Sequence, residues 1–195
     1  MNEKTTKQIE EMMNQTIGVE VEMNNITRTK AAQLAAEFFG TRRHENTAGR
    51  NGYDTYSAWD GEGREWKFQK DVSIHGPDSE KCELVTPILT YADMETLQEL
   101  IRRLRKAGAK SDATRGCGVH IHIGAKGHTP QTLRNLANIM ASHESLLASA
   151  LNLDRSRMNR YCRTVSKDFL VELNRKKPKT MAALADTWYG SQNVD

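Results

Sequence analysis

The chain carries only three cysteines, Cys82, Cys117 and Cys162, an odd number at wide spacing. Neither a disulfide framework nor a CxxC metal or redox motif can be built from them, and all three are expected to be small buried residues. An excess of one charge is equally lacking: 28 Lys+Arg stand against 25 Asp+Glu, a formal net charge of +3. What basic excess there is collects in residues 101–110 (IRRLRKAGAK) and 174–179 (NRKKPK). Neither run is interleaved with aromatics or shows a recognition-helix pattern or zinc-finger spacing, so solvated faces are expected and no nucleic-acid partner. Long apolar runs are missing too, and the opening MNEKTTKQIEEMMNQ is too polar for a signal peptide. A cytoplasmic protein with no membrane partner is therefore expected. There is no P-loop GxxxxGK[ST], no internal repeat and no low-complexity segment, and 195 residues suffice for one domain with a real core.

What the sequence does have is alternation. In residues 117–124 (CGVHIHIG) apolar Val119, Ile121 and Ile123 alternate with His120 and His122. Side chains in a strand change face at every residue, so both imidazoles point one way, roughly 6.5 Å apart. The valine and isoleucines are expected to bury the opposite face. Residues 16–23 (TIGVEVEM) follow the same plan, with Val19 and Val21 alternating with Glu20 and Glu22. Two carboxylates side by side on one strand face repel unless something positive sits between them. If the two strands share a sheet with these faces aligned, carboxylates and imidazoles converge on one surface and make a metal site.

The rest of the chain supplies a frame. Residues 30–39 (KAAQLAAEFF) read as a helix capped by Thr27 or Thr29 and stopped at Gly40. A polar loop (TRRHENTAGRNG) precedes a hairpin whose arms carry Tyr53, Thr55, Ser57 and then Arg64, Trp66, Phe68. Its turn is Asp60-Gly61-Glu62-Gly63, where Asp-Gly tolerates positive φ. Asp71 and Ser73 fall where strand gives way to loop, and Glu83 sits in a short strand, CELVTP, that Pro87 ends or pushes to an edge. Asp93 is expected to cap an amphipathic helix with Met94, Leu97, Leu100, Ile101 and Leu104 as its stripe. Beyond the histidine strand, Thr129-Pro130 opens a long helix to about Leu151. Two further helices follow, one with Phe169, Leu170 and Leu173, the other capped by Thr180 with Met181, Leu184 and Trp188. The fold class is α+β: a mainly antiparallel sheet with helices on one face and a helical C-terminal segment. Residues 1–15 read as a polar tail and residues 16–195 as one catalytic domain.

Glu20, Glu22, Glu83 and His120 form the candidate ligand shell, with Asp71 and His122 close by in role. Carboxylates with a single imidazole suit Mg²⁺ or Mn²⁺ better than zinc. Same-face glutamates can each hold one ion of a pair about 3.5–4 Å apart, the arrangement used to neutralise a transferring phosphoryl group. Spacing alone leaves a kinase-like step and a nuclease both open. A cupin would need a glutamate soon after HIH, and an amidohydrolase barrel a far longer chain. His44, His75, His128 and His143 have no evident partners and read as surface residues.

The segments GVEVEM, YDTYSAWDGEGREWKFQKDVSI, ELVTPILTYADMETLQELI, CGVHIHIG, MNRYCR and ALADTWYG, in this order from about Thr16 to Gly190, closely resemble the amidoligase family. That family is related to glutamine synthetase and the glutamate–cysteine ligases. The resemblance implies a glutamine-synthetase-like sheet and ATP-dependent joining of a carboxylate to an amine through an acyl phosphate, with Mg²⁺ or Mn²⁺. It implies Glu20, Glu22, Glu83 and His120 as metal ligands, His122 toward nucleotide phosphate or substrate, and Asp71 with Ser73 on the substrate side. Its substrates would be small-molecule or peptide carboxylates and amines, and relatives with this fold often form homo-oligomers. The family pattern continues to a later strand carrying ExR, which has no match here, so a C-terminally truncated chain is expected. A metal-dependent phosphoesterase and a non-catalytic relative that only binds a ligand or partner are the alternatives.

Overall fold

A computed structural model describes residues 3–50, 52–159 and 162–190. Arg160 and Tyr161 of the MNRYCR motif, and residues 191–195, lie outside the described residues. The chain divides into two compact units, Met1–Gly124 and Ala125–Asp195.

The first unit is built on six strands: β1 (Ile17–Met23), β2 (His44–Asn46), β3 (Tyr56–Trp59), β4 (Glu65–Gln69), β5 (Cys82–Val85) and β6 (Val119–Ile123). They form one open sheet in the order β2-β3-β4-β5-β1-β6, with every neighbouring pair antiparallel. Helices α1 (Glu3–Met13), α2 (Arg28–Phe38) and α3 (Met94–Lys106) complete the unit. Residues read as a polar tail thus include helix α1, none of whose side chains is buried.

One sheet face carries the core. Val19, Val21, Trp66, Phe68, Cys82 and Leu84 pack with Ala31, Ala32, Ala35 and Ala36 of α2 and with Leu97, Leu100 and Leu104 of α3. The run of alanines lets α2 lie close on the strands. Burial pushes the Cys82 thiol up to about 12, which leaves it inert packing.

Thr27 caps α2 by accepting the Lys30 N–H at 3.2 Å, and Gly40 takes the left-handed φ of +73° that ends it. At α3 the expectation needs correcting. Asp93 makes no side-chain cap to that helix; it reaches back to accept the Thr90 N–H at 2.8 Å, in a capping box for a single 3₁₀ turn that leads into α3. The hairpin turn is also read differently. Gly63, at φ +77°, carries the positive φ, and Gly61 does not. Asp60 organises the turn, accepting the N–H of Glu62 at 3.0 Å and of Arg64 at 2.9 Å on one oxygen. Its other oxygen accepts the Arg64 Nε at 2.8 Å and the Trp66 indole at 3.0 Å. Arg64 also pairs with Asp93 at 2.9 Å, tying the hairpin to the start of α3.

Three further differences matter. The polar loop around His44 contains strand β2, which pairs with β3. Pro87 ends β5, but β5 lies inside the sheet between β4 and β1. Of the cysteines, Cys82 and Cys117 are buried while Cys162 is exposed.

The second unit is helical: α4 (Pro130–Ala150), α5 (Arg155–Met158), α6 (Lys167–Lys176) and α7 (Met181–Gly190). Thr129, Ser166 and Thr180 accept backbone N–H groups at the starts of α4, α6 and α7. A small core of Ala137, Phe169, Leu173 and Leu184 holds it together, with the Trp188 ring edge-on to Phe169 at 4.8 Å. No described helix is long and apolar enough to cross a membrane.

Candidate metal and nucleotide site

The register that buries one face of the sheet lays acids and imidazoles on the other. Directly paired residues share a face. Glu20 pairs with His120 and Gly18 with His122 across β1 and β6. Across β1 and β5, Glu22 pairs with Glu83, and Gln69 of β4 pairs with Glu83 in turn. Four strands, β1, β4, β5 and β6, therefore contribute to one surface. Asp71 joins it from the loop after β4: ligand oxygens of Glu22, Asp71 and Glu83 all lie within 4.8 Å of one another.

The predicted residues fall into two neighbouring groups. Glu22, Asp71 and Glu83 are the deep one, with Glu22 only 4% and Glu83 6% exposed. Glu20, His120 and His122 are the outer one: His122 Nε2 is 3.3 Å from a Glu20 oxygen and His120 Nδ1 is 3.9 Å from the other. His120 Nε2 also lies 3.6 Å from Glu22, linking the groups. Ser73 sits at the rim, donating its backbone N–H to Asp71 Oδ1 at 2.6 Å.

Packing so much negative charge has an electrostatic consequence. Burial pushes the Glu83 carboxyl above its ordinary range; the Gln69 hydrogen bond opposes this, while Glu20, Asp71 and Glu22 add to it. A group of this kind is relieved by a cation. The donors are mostly carboxylate oxygens with an imidazole at the edge, a set that fits Mg²⁺ or Mn²⁺.

Sequence reasoning missed the groups that orient these acids. Gln69 Nε2 donates to Glu83 at 2.8 Å, and the Gly118 N–H donates to Glu22 at 2.6 Å. Gly116 stands at φ +71°, where a Cβ would come within 2.5 Å of the Ser73 carbonyl oxygen, so only glycine lets these two loops meet. The face-sharing of Gln69 with Glu83 was readable from alternation in EWKFQ; the loop contacts were not.

The apolar side of β6 departs from expectation. Val119, Ile121 and Ile123 are 59%, 66% and 54% exposed, not buried. β6 is an edge strand, and an open cavity of about 490 Å³ lies against Val119, Val21 and Met23 beside Ile101 and Leu104 of α3. The apolar stripe of α3 thus leaves β6 uncovered.

A family model described as "Putative amidoligase enzyme" matches residues 13–195. No curated protein matches the chain, and neither does any solved structure.

Proposed function

Because the chain belongs to the amidoligase enzyme family, we propose that it is an ATP-dependent carboxylate–amine ligase acting through an acyl phosphate. The observation that carries this beyond the family is the convergence of Glu22, Asp71 and Glu83 within 4.8 Å, beside Glu20 and two histidines. Mg²⁺ or Mn²⁺ would be held by Glu20, Glu22, Glu83 and His120, with Asp71 within reach. When bound, the cations would neutralise nucleotide phosphate charge and so favour phosphoryl transfer.

The protein groups divide the remaining work. Gln69 and the Gly118 N–H hold Glu83 and Glu22 in fixed orientations, so little reorganisation is needed when nucleotide arrives. His122, at the exposed end, donates toward phosphoryl oxygens as charge develops on them. Asp71 has one oxygen fixed by Ser73, which leaves the other to orient the incoming amine or take its proton. Small-molecule or peptide acids and amines are the substrate class, and the cytoplasm, where ATP and Mg²⁺ meet, is the setting.

Calorimetric titration with ATP, with and without Mg²⁺, tests this directly. Wild type should bind ATP only with metal, and Glu22→Gln, which keeps the Gly118 hydrogen bond, should lose that binding. Undiminished binding by the variant removes Glu22 from the site. A phosphoesterase on the same ligands would need only ester and metal, whereas the ligase should release ADP only when acid and amine are both present.

A further inference from the structure

The polar face extends beyond the acid cluster, and one residue on it is unaccounted for. Lys67 of β4 pairs with Val85 of β5, and Val85 pairs with Glu20. Read across the sheet, one row therefore runs His120, Glu20, Val85, Lys67. Two strand spacings separate Glu20 from Lys67, about 10 Å. Between them lies only Val85, a short apolar floor.

Among the described residues, Arg64, Lys70, Lys81 and Arg28 are engaged. Arg64 is held by Asp60 and Asp93. Lys70 and Lys81 both pair with Asp78, and Arg28 is clipped to Asp54. Lys67 is half-buried, yet among the described residues its ammonium enters no hydrogen bond or ion pair. Its nearest acid along β4 on the same face, Glu65, accepts the Ser57 hydroxyl at 2.7 Å. A half-buried lysine on the same sheet face as a carboxylate cluster, separated from it by an apolar floor, has no anion among the described residues paired with it. Cations held by the acids would leave a triphosphate still carrying net negative charge, and Lys67 is the unpaired counter-charge on that face.

Resting on the proposed nucleotide chemistry, we infer that Lys67 binds the terminal phosphoryl group of ATP, which lies over Val85 between the acid cluster and the lysine. Lys67 is thus the residue that distinguishes ATP from ADP at this site. It holds the transferring group from the side opposite the metal ligands and orients it toward the acceptor carboxylate.

The test is titration of Mg²⁺–ATP and Mg²⁺–ADP into wild type, Lys67→Met and Lys67→Arg, with urea unfolding of each as a check on the fold. Wild type should prefer ATP. Lys67→Met should lose about tenfold or more of its ATP affinity, with ADP affinity within about twofold, while Lys67→Arg keeps most of the preference. The unfolding midpoint should not move, because Lys67 has no partner to lose. Equal losses for both nucleotides, or none for either, would overturn the assignment while leaving the ligase reading standing. Wild type that binds neither nucleotide would overturn the reading and the assignment together.

Discussion

The two faces of the six-stranded sheet are made by the same strands and have opposite chemistry. On one, Val19, Val21, Leu84 and Phe68 are closed under α2 and α3. On the other, Glu20, Glu22, Glu83 and Gln69 stand one residue out of phase with them. A shift of β1 by one residue would exchange the two sets, so register fixes core and site together. The core stabilises the fold by burial, while the acid face destabilises it by crowding like charges. Stability gained on one face thus holds the other in a state that protonation or a bound cation would relieve.

Breaking the apolar face should have the largest effect. Leu84 is fully buried, and Leu84→Ala should cost about 2–5 kcal/mol, read by urea denaturation. Metal affinity of the molecules that remain folded should be little changed, since Leu84 points away from Glu83. A matching loss of metal affinity would mean the faces are not separable.

The turn joining hairpin and helix comes next. Burial alone would raise the Asp60 carboxyl, but hydrogen bonds from Trp66 and Arg64 outweigh it and hold the group below its ordinary value. A depressed folded value gives stability that is fully present above the unfolded value of 3.8 and is lost as pH falls through the lower folded one. Asp60→Asn should therefore cost about 1.5–3 kcal/mol at neutral pH. The gap between variant and wild type should narrow on acidification below about pH 4, measured as stability against pH. A gap independent of pH would assign the effect to packing.

The smallest effect belongs to β6. Ile121 is 66% exposed, so Ile121→Thr should change stability by no more than about 0.5 kcal/mol. A loss above about 1 kcal/mol, typical of a buried position, would restore the expectation that this strand buries its apolar side.

That expectation shows where sequence stops being sufficient. Alternation in GVEVEM and VHIHI fixed which residues share a face, and the two strands do pair with Glu20 opposite His120. Alternation is silent on what covers each face, and an edge position left Val119, Ile121 and Ile123 open. Helix α2 was legible because cap, alanine stripe and stop glycine agree. Strand β2 was not, because His44–Asn46 has exposed side chains and takes its shape from pairing with β3. In the site, strand-borne acids could be grouped from spacing, whereas the place of Asp71 beside Glu22 depends on the path of a loop.

The central claim is that the acid face is a cation site, and Glu83 tests it most directly. Its folded value is raised, so the fold prefers the neutral carboxyl: the stability this gives is fully present below the ordinary value of 4.5 and is lost as pH rises through the folded value. Thermal unfolding of wild type and Glu83→Gln, each with and without Mn²⁺ at neutral pH, separates the possibilities. Without metal, Glu83→Gln should be the more stable, by about 1 kcal/mol; with Mn²⁺, wild type should rise with metal concentration while the variant does not respond. A variant less stable than wild type without metal, with both responding equally to Mn²⁺, would contradict the account.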